Sequence, residues 1–381
     1  MTWHAYAEHR QAKVAALLER LKQTRYRAKL LRRRSLPKGD GQERPLGIPV
    51  LEDKLLQAAW ARLLNAIDAQ ELLACRDGER PERGAGEAVR DLTFDLQYGR
   101  YGYVVEADIK GCFDPMDHAW RLKLRQLRID PRASLGLSRR WLKAGILETD
   151  GRVIHPDTGV PQGGVVSPVL ANAYWHDALD LGVEKGGNPR CPGEALLSGY
   201  AADLVCAVRC RTEAEWFYQA LSRRLGQFKR EVAPEKTRIL RFSRCHPGMA
   251  RRFPCLGVEF SWPEDRQGVP RVKRRTARTR WQRACQRSKE GMQANRHWPA
   301  KAFFTGLNAR LRGHYSSYGV HGNAHALQRF FDWAMACASK WLNRRGGQRK
   351  SCSWTRCIQL LDAVPIERPH ITEPRRRRVY A

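Results

Sequence analysis

Asp108 is the first residue in the chain placed to do chemistry. It ends the run Val104-Val105-Glu106-Ala107-Asp108. A carboxylate fixed at the end of an apolar strand can hold a divalent cation, which prefers oxygen ligands. The same side chain could instead cap the turn that follows it. A second segment, Thr158-Gly159-Val160-Pro161-Gln162-Gly163-Gly164-Val165-Val166-Ser167-Pro168, sets two glycines beside a glutamine. Backbone can approach a ligand closely there, although any loop before a helix could look the same. Tyr200-Ala201-Ala202-Asp203 lies between two short apolar runs, and Pro234-Glu235-Lys236-Thr237 and Phe253-Pro254-Cys255-Leu256-Gly257-Val258 follow. Each signal is modest alone; their order and spacing carry more.

The elements around these segments read as a mixed fold. Val14, Leu17, Leu18 and Leu21 mark one face of an N-terminal helix, followed by a basic stretch from Lys29 to Arg34. Pro37-Lys38-Gly39-Asp40-Gly41 reads as a turn leading into Arg44-Pro45-Leu46-Gly47-Ile48-Pro49. Helical spacing covers residues 51–67, 139–147, 170–181 and 217–228. Residues 101–109 alternate as a strand, with Tyr103, Val105 and Ala107 on one side and Val104, Glu106 and Asp108 on the other. Leu196 to Tyr200 and Leu204 to Val208 predict a hairpin, and residues 238–242 and 255–260 predict strands. After about residue 270 basic helices take over, and Leu327, Phe331, Ala334, Ala338 and Trp341 form one apolar stripe. The order predicts an α+β domain followed by an all-α domain.

Charge narrows the partners. The 381 residues hold 69 Lys and Arg against 39 Asp and Glu, a formal net charge of +30. Such an excess, spread along the whole chain, favours a polyanion, and nucleic acid before a membrane surface. No apolar run approaches the length of a spanning helix, and no signal-peptide pattern follows Met1. The 11 cysteines include no CxxC pair, which argues against a zinc knuckle or zinc-dependent nuclease module. Reduced cysteines in a cytoplasmic, bacterial protein are the expectation.

Taken in order, these segments resemble the palm of reverse transcriptases, in particular group II intron-encoded reverse transcriptase/maturases. The resemblance runs over nearly the whole chain. It includes Arg44-Pro45-Leu46-Gly47-Ile48-Pro49 in the fingers. It also includes Leu311-Arg312-Gly313-His314-Tyr315, Gly319-Val320-His321-Gly322-Asn323 and Lys340-Trp341-Leu342-Asn343-Arg344-Arg345 in the thumb, or maturase, region. It implies a right-hand polymerase fold. Residues 1–100 would form an N-terminal extension and fingers, 101–262 the palm with inserted fingers elements, 263–350 a helical thumb, and 351–381 a basic tail without an endonuclease module.

The resemblance also implies a chemistry. The family transfers nucleotides with two magnesium ions, held by one aspartate on the first palm strand and two at a hairpin turn in a YADD pattern. Asp108 matches the first and Asp203 the last, but Ala202 stands where the family has the other aspartate. The expectation is therefore an RNA-directed DNA polymerase fold with depressed polymerisation, retaining the binding of intron RNA for splicing and mobility. Lys236 matches a lysine that helps pyrophosphate leave. Lys38, Arg44, Ile109, Phe113, Gln162 and Gly163 match the pocket for the deoxynucleoside triphosphate. Leu256 and Gly257 match a hairpin that grips the primer strand. Arg312, His314, Tyr315, Arg344 and Arg345 would contact the primer strand or RNA, and a DNA target is a further partner that the resemblance implies. Asp77 and Glu79 stand where the family usually has aromatic residues, Val160 replaces a frequent threonine and Cys112 a frequent phenylalanine. No membrane partner is expected.

Overall fold

The computed structural model describes residues 3–37, 43–73, 75–76, 78, 80, 83–110, 132–155, 163–182, 195–200, 203–344 and 364–374. In chain order these form α1 (Trp3–Ala7), α2 (Arg10–Lys22), β1 (Leu31–Pro37), β2 (Glu43–Ile48), α3 (Leu51–Glu71), α4 (Ala85–Tyr98), β3 (Tyr103–Asp108) and α5 (Arg132–Leu142). They continue with β4 (Ile146–Leu147), β5 (Val153–Ile154), α6 (Ser167–Trp175), which runs into a π-helical turn over His176–Asp180, β6 (Leu196–Tyr200), β7 (Asp203–Val208) and α7 (Arg211–Gln227). The last are β8 (Arg238–Arg241), β9 (Gly248–Cys255), β10 (Val258–Trp262), β11 (Lys273–Thr276), α8 (Arg278–Ala294), α9 (Ala300–Tyr318) and α10 (Ala324–Asn343). The α+β expectation holds: sheets with helices come first and a helical region last. Among the described residues no helix is long and apolar enough to cross a membrane.

The chain divides into two compact units. One comprises Met1–Gly84 and Val105–Ile239, the other Ala85–Val104 and Leu240–Ala381. The first holds the sheet β2-β1-β4-β5 and the larger part of the sheet β6-β7-β3-β8. Val105, Ala107, Leu204, Val205 and Cys206 are buried, as two-sided strands of a covered sheet require. Behind the first sheet, Asp53 accepts hydrogen bonds from the Tyr26 hydroxyl at 2.6 Å and the Lys29 amide at 3.0 Å. Trp141 donates in turn to the Tyr26 oxygen at 2.9 Å. A buried polar group needs such partners, so this network fixes the basic segment against α3 and α5.

The basic stretch enters β1, whose backbone pairs with β2 along Arg32↔Ile48 to Pro37↔Glu43. Two local expectations are corrected. The helix expected over 139–147 ends at Leu142, and Ile146 and Leu147 instead pair in parallel with Leu31 and Arg32. The strand expected over 255–260 is two strands, β9 and β10, joined by a tight turn at Leu256 and Gly257.

The second unit packs α8, α9 and α10 around Phe304, Leu307, Leu311, Tyr315, Leu327, Phe330 and Ala334, all buried. The apolar stripe read on the last helix is the face that enters this core. Residues 364–374 lie along the same helices. Asn308 donates to the Pro365 carbonyl and accepts from the Glu367 amide, both at 2.9 Å. Glu373 accepts two bonds from Arg274, at 2.7 and 2.8 Å, in a nearly water-free setting.

Candidate active site

The site starts from the period of two along β3. Glu106 and Asp108 project from one face, and β7 lies beside β3 with Asp203 as its first residue. The far end of β3 is stitched to the segment before β8. The Lys110 amide donates to the Glu231 carbonyl at 3.0 Å and the Ala233 amide to the Asp108 carbonyl at 2.8 Å. Residues 233–237 then turn, closed by the Lys236 amide on the Ala233 carbonyl at 3.1 Å and by the Thr237 hydroxyl on the same oxygen at 2.8 Å. That turn aims Lys236 at the site.

Two ion pairs result. Lys236 Nζ lies 2.8 Å from Asp108 Oδ2, and Arg238 Nε lies 2.7 Å from Glu106 Oε2. Burial pushes the Glu106 carboxyl above its ordinary value; Arg238 opposes this, and the charges of Asp203 and Asp108 add to it. Three carboxylates therefore share one electrostatic neighbourhood, with two basic side chains among them. Glu106 and Arg238 were not singled out in the sequence. The alternation of residues 101–109 had already put Glu106 on the face of Asp108, without giving it a role.

The magnesium ions implied by the resemblance meet an incomplete set of donors. Among the described residues, no three of His, Cys, Asp and Glu are grouped so as to hold a metal ion. Asp108 is bound by Lys236, and position 202 is an alanine, whose methyl group cannot ligate. The residues present do not fit the family's three-carboxylate shell.

Other candidates fall out as follows. Lys38, Phe113, Gln162, Ala202 and Arg345 lie outside the described residues, as do Asp77, Glu79, Cys112 and Val160. Arg44 sits on β2 opposite Leu36. Ile109 is buried and bridges to Val232, so its side chain serves the core. Gly163 adopts φ +110, and a Cβ there would come within 3.1 Å of the Gly47 carbonyl oxygen. The close approach that its glycine permits is to the protein's own β2. In the second unit Leu256 and Gly257 form the β9–β10 turn, with φ +50 and +88. Arg312 is exposed and 3.8 Å from Glu367, and Arg344 lies over the Trp341 ring at 5.3 Å. His314 and Tyr315 are 6% and 0% exposed, enclosed by the helices rather than offered to a strand of RNA.

His314 stacks on Phe330 with ring centroids 3.9 Å apart, and burial lowers its pKa to about 4 from 6.5. The imidazole is therefore neutral in the fold. Because the folded value lies below the unfolded one, its contribution is complete above pH 6.5 and drains away as pH falls toward 4. The expected loss is up to about 1.4 kcal/mol per pH unit in that window. His314→Phe should flatten that part of the curve in urea unfolding at pH 7 and 4.5; an unchanged slope would mean that His314 does not titrate in the fold.

Comparisons with known proteins agree with this architecture. Residues 36–260 match the family model described as reverse transcriptase (RNA-dependent DNA polymerase). The group II intron-encoded protein LtrA of Lactococcus lactis subsp. cremoris is 36% identical over 168 residues, covering 44% of this chain and 28% of that protein. Protein YkfC of Escherichia coli (strain K12) is 34% identical over 149 residues, covering 38% of this chain and 39% of that protein. An uncharacterized 91 kDa protein in the cob intron of Schizosaccharomyces pombe is 35% identical over 153 residues, covering 40% of this chain and 18% of that protein. The matches thus span well under half of each relative's length. In fold, the chain is similar to telomerase from Candida albicans, with TM-score 0.50 and 10% identity over 88% of this chain and 64% of that one. With the family model spanning more than half of its length, the chain belongs to the reverse transcriptase family, and intron-encoded proteins are among those it is similar to.

Proposed function

We propose that this chain binds intron RNA in support of splicing and mobility, and that its own DNA synthesis is strongly depressed. One observation carries the second half: alanine at position 202, next to Asp203, in a site whose other aspartate is already paired with Lys236. The family uses magnesium, and this chain offers it fewer carboxylates than the chemistry calls for. Loss of a group that merely orients a metal ligand costs about ten- to a hundred-fold in affinity or activity. Loss of a ligand should cost more. What remains is a fold with a formal charge of +30, suited to many phosphate contacts. The DNA target, a primer strand and deoxynucleoside triphosphates are the further partners this reading assigns.

Two assays test it together. In filter binding, an intron RNA should be held at low salt and released steeply as salt rises, because each phosphate contact liberates counterions. In primer extension on an RNA template with magnesium, the unmodified chain should yield cDNA near background. Ordinary cDNA yield would overturn the account of Ala202. Salt-insensitive or absent RNA retention would overturn the binding role and leave a decayed copy.

A further inference from the structure

The carboxylates of the candidate site already have cations of their own, and strand register supplies them. β3 is flanked by β7 on one side and β8 on the other. Along the border with β8 the Phe242 amide donates to the Gly102 carbonyl at 2.9 Å. Glu106 meets Arg238 and Asp108 meets Lys236 in the same antiparallel register, each step along β3 being matched by a step back toward the turn before β8. Alternate residues of a strand share a face, so one register sets both basic side chains over both acids. A slip of one residue would turn them away. The two ion pairs form a ladder fixed by the sheet, unlike scattered surface contacts.

The charges nearly cancel. Glu106, Asp108 and Asp203 share the site with Lys236 and Arg238. Glu231, the next acid along this border, is paired with Lys110 at 3.4 Å. At 2.7 and 2.8 Å the two rungs are direct, charge-assisted hydrogen bonds. The Glu106 and Asp108 side chains are 20% and 24% exposed, whereas those of Arg238 and Lys236 are 47% and 65% exposed. The positive groups thus lie outermost, and an ion arriving from solvent meets them first. Magnesium sheds its waters reluctantly and demands nearly octahedral oxygen ligands. Here it would have to displace a tethered base from each acid of β3, with a methyl group at position 202.

We propose that Lys236 and Arg238 are built-in counter-ions that stand in for divalent metal, so that the carboxylate cluster ties β3 to β8 and excludes magnesium. The inference rests on the reading of position 202 as a lost metal ligand, and it adds what fills the electrostatic place of the ions.

The test is metal binding to the full chain, read without a polymerase assay. Bound manganese is followed by electron paramagnetic resonance at constant ionic strength, and thermal unfolding is followed over a magnesium series. Wild type should bind no more manganese than Asp108→Asn/Asp203→Asn, and its unfolding midpoint should not respond to magnesium. Lys236→Gln/Arg238→Gln should unfold at a lower temperature without metal, because Glu106 and Asp108 then lose their counter-ions beside Asp203. Magnesium should restore that midpoint, as any ligand of the native state does. Manganese affinity should rise by about tenfold or more. Arg238→Gln alone keeps Asp108 paired and guards against loss of the fold; it should gain manganese affinity by a smaller factor. Lys236→Arg/Arg238→Lys, which keeps both charges, should behave as wild type. Wild-type manganese binding that Asp108→Asn/Asp203→Asn abolishes would overturn the proposal. So would glutamine variants that bind no more manganese than wild type. Ordinary cDNA synthesis by the unmodified chain would remove the reading of position 202 as well. An inactive chain that still holds manganese at Asp108 and Asp203 would remove only this inference.

Discussion

Ala202→Asp is expected to raise magnesium-dependent primer extension on an RNA template by about a hundred-fold or more over the unmodified chain. The reasoning is electrostatic. Asp108 and Asp203 occupy neighbouring strands, Lys236 already neutralises Asp108, and Glu106 is engaged by Arg238. A carboxylate added at 202 would stand next to Asp203 in sequence and restore the third oxygen ligand that two hard cations need. It would also give magnesium a better claim on Asp108 against Lys236. Manganese binding followed by electron paramagnetic resonance should tighten in parallel, which separates a repaired metal site from a general gain in activity. Adding Asp203→Asn to the repaired chain should return synthesis to background. If Ala202→Asp folds as the wild type and still makes no cDNA, the defect does not lie at position 202. The altered segment around Asp77 and Glu79 would then be the next place to look.

Arg76→Met is expected to destabilise the first unit by about 3–5 kcal/mol. Arg76 Nε and Nη2 each lie 2.7 Å from an oxygen of Asp180, and both side chains are 1% exposed. Removing one partner strands the other charge in a medium that cannot solvate it. Burial alone would push the Asp180 carboxyl up; Arg76 and His176 outweigh it and hold the carboxyl below its ordinary value of 3.8. The pair thus contributes stability above pH 3.8, lost as pH falls through the depressed value. In Arg76→Met the sign reverses: Asp180 would titrate upward, and the deficit should shrink on acidification. Urea unfolding at pH 7 and 5 reads both effects. Arg76→Met/Asp180→Leu, which replaces both charges by apolar groups, should recover most of the loss. A single variant as stable as wild type would show that the pair does not bear on this core.

The same pair reaches toward the site. The Gly199 amide donates to the Cys75 carbonyl at 2.8 Å, and a Cβ on Gly199 would meet Arg76 Nη2 at 3.3 Å. Gly199 lies on β6, whose partner β7 begins with Asp203. Arg76 therefore braces the hairpin that presents the carboxylate, although no short motif announces it.

The family, the α+β order, the hairpin around Asp203 and the apolar stripe of α10 were legible in the sequence, because each depends on local periodicity or on a contiguous motif. So was the substitution at Ala202. The tertiary structure decided the rest. Lys236 meets Asp108 across 128 residues, Arg238 meets Glu106 across 132, and Arg76 meets Asp180 across 104. Strand register sets the first two and helix placement the third, and neither is written in local spacing. His314 and Tyr315 look like binding residues within their motif, yet the packing of α9 against α10 turns them into core. Ile146 and Leu147 leave a helical pattern because the edge of β1 offers backbone partners. A sequence states which side chains are present and which local geometry they prefer. Which charge faces which, and which polar group is shut away from water, is fixed only when distant segments pack.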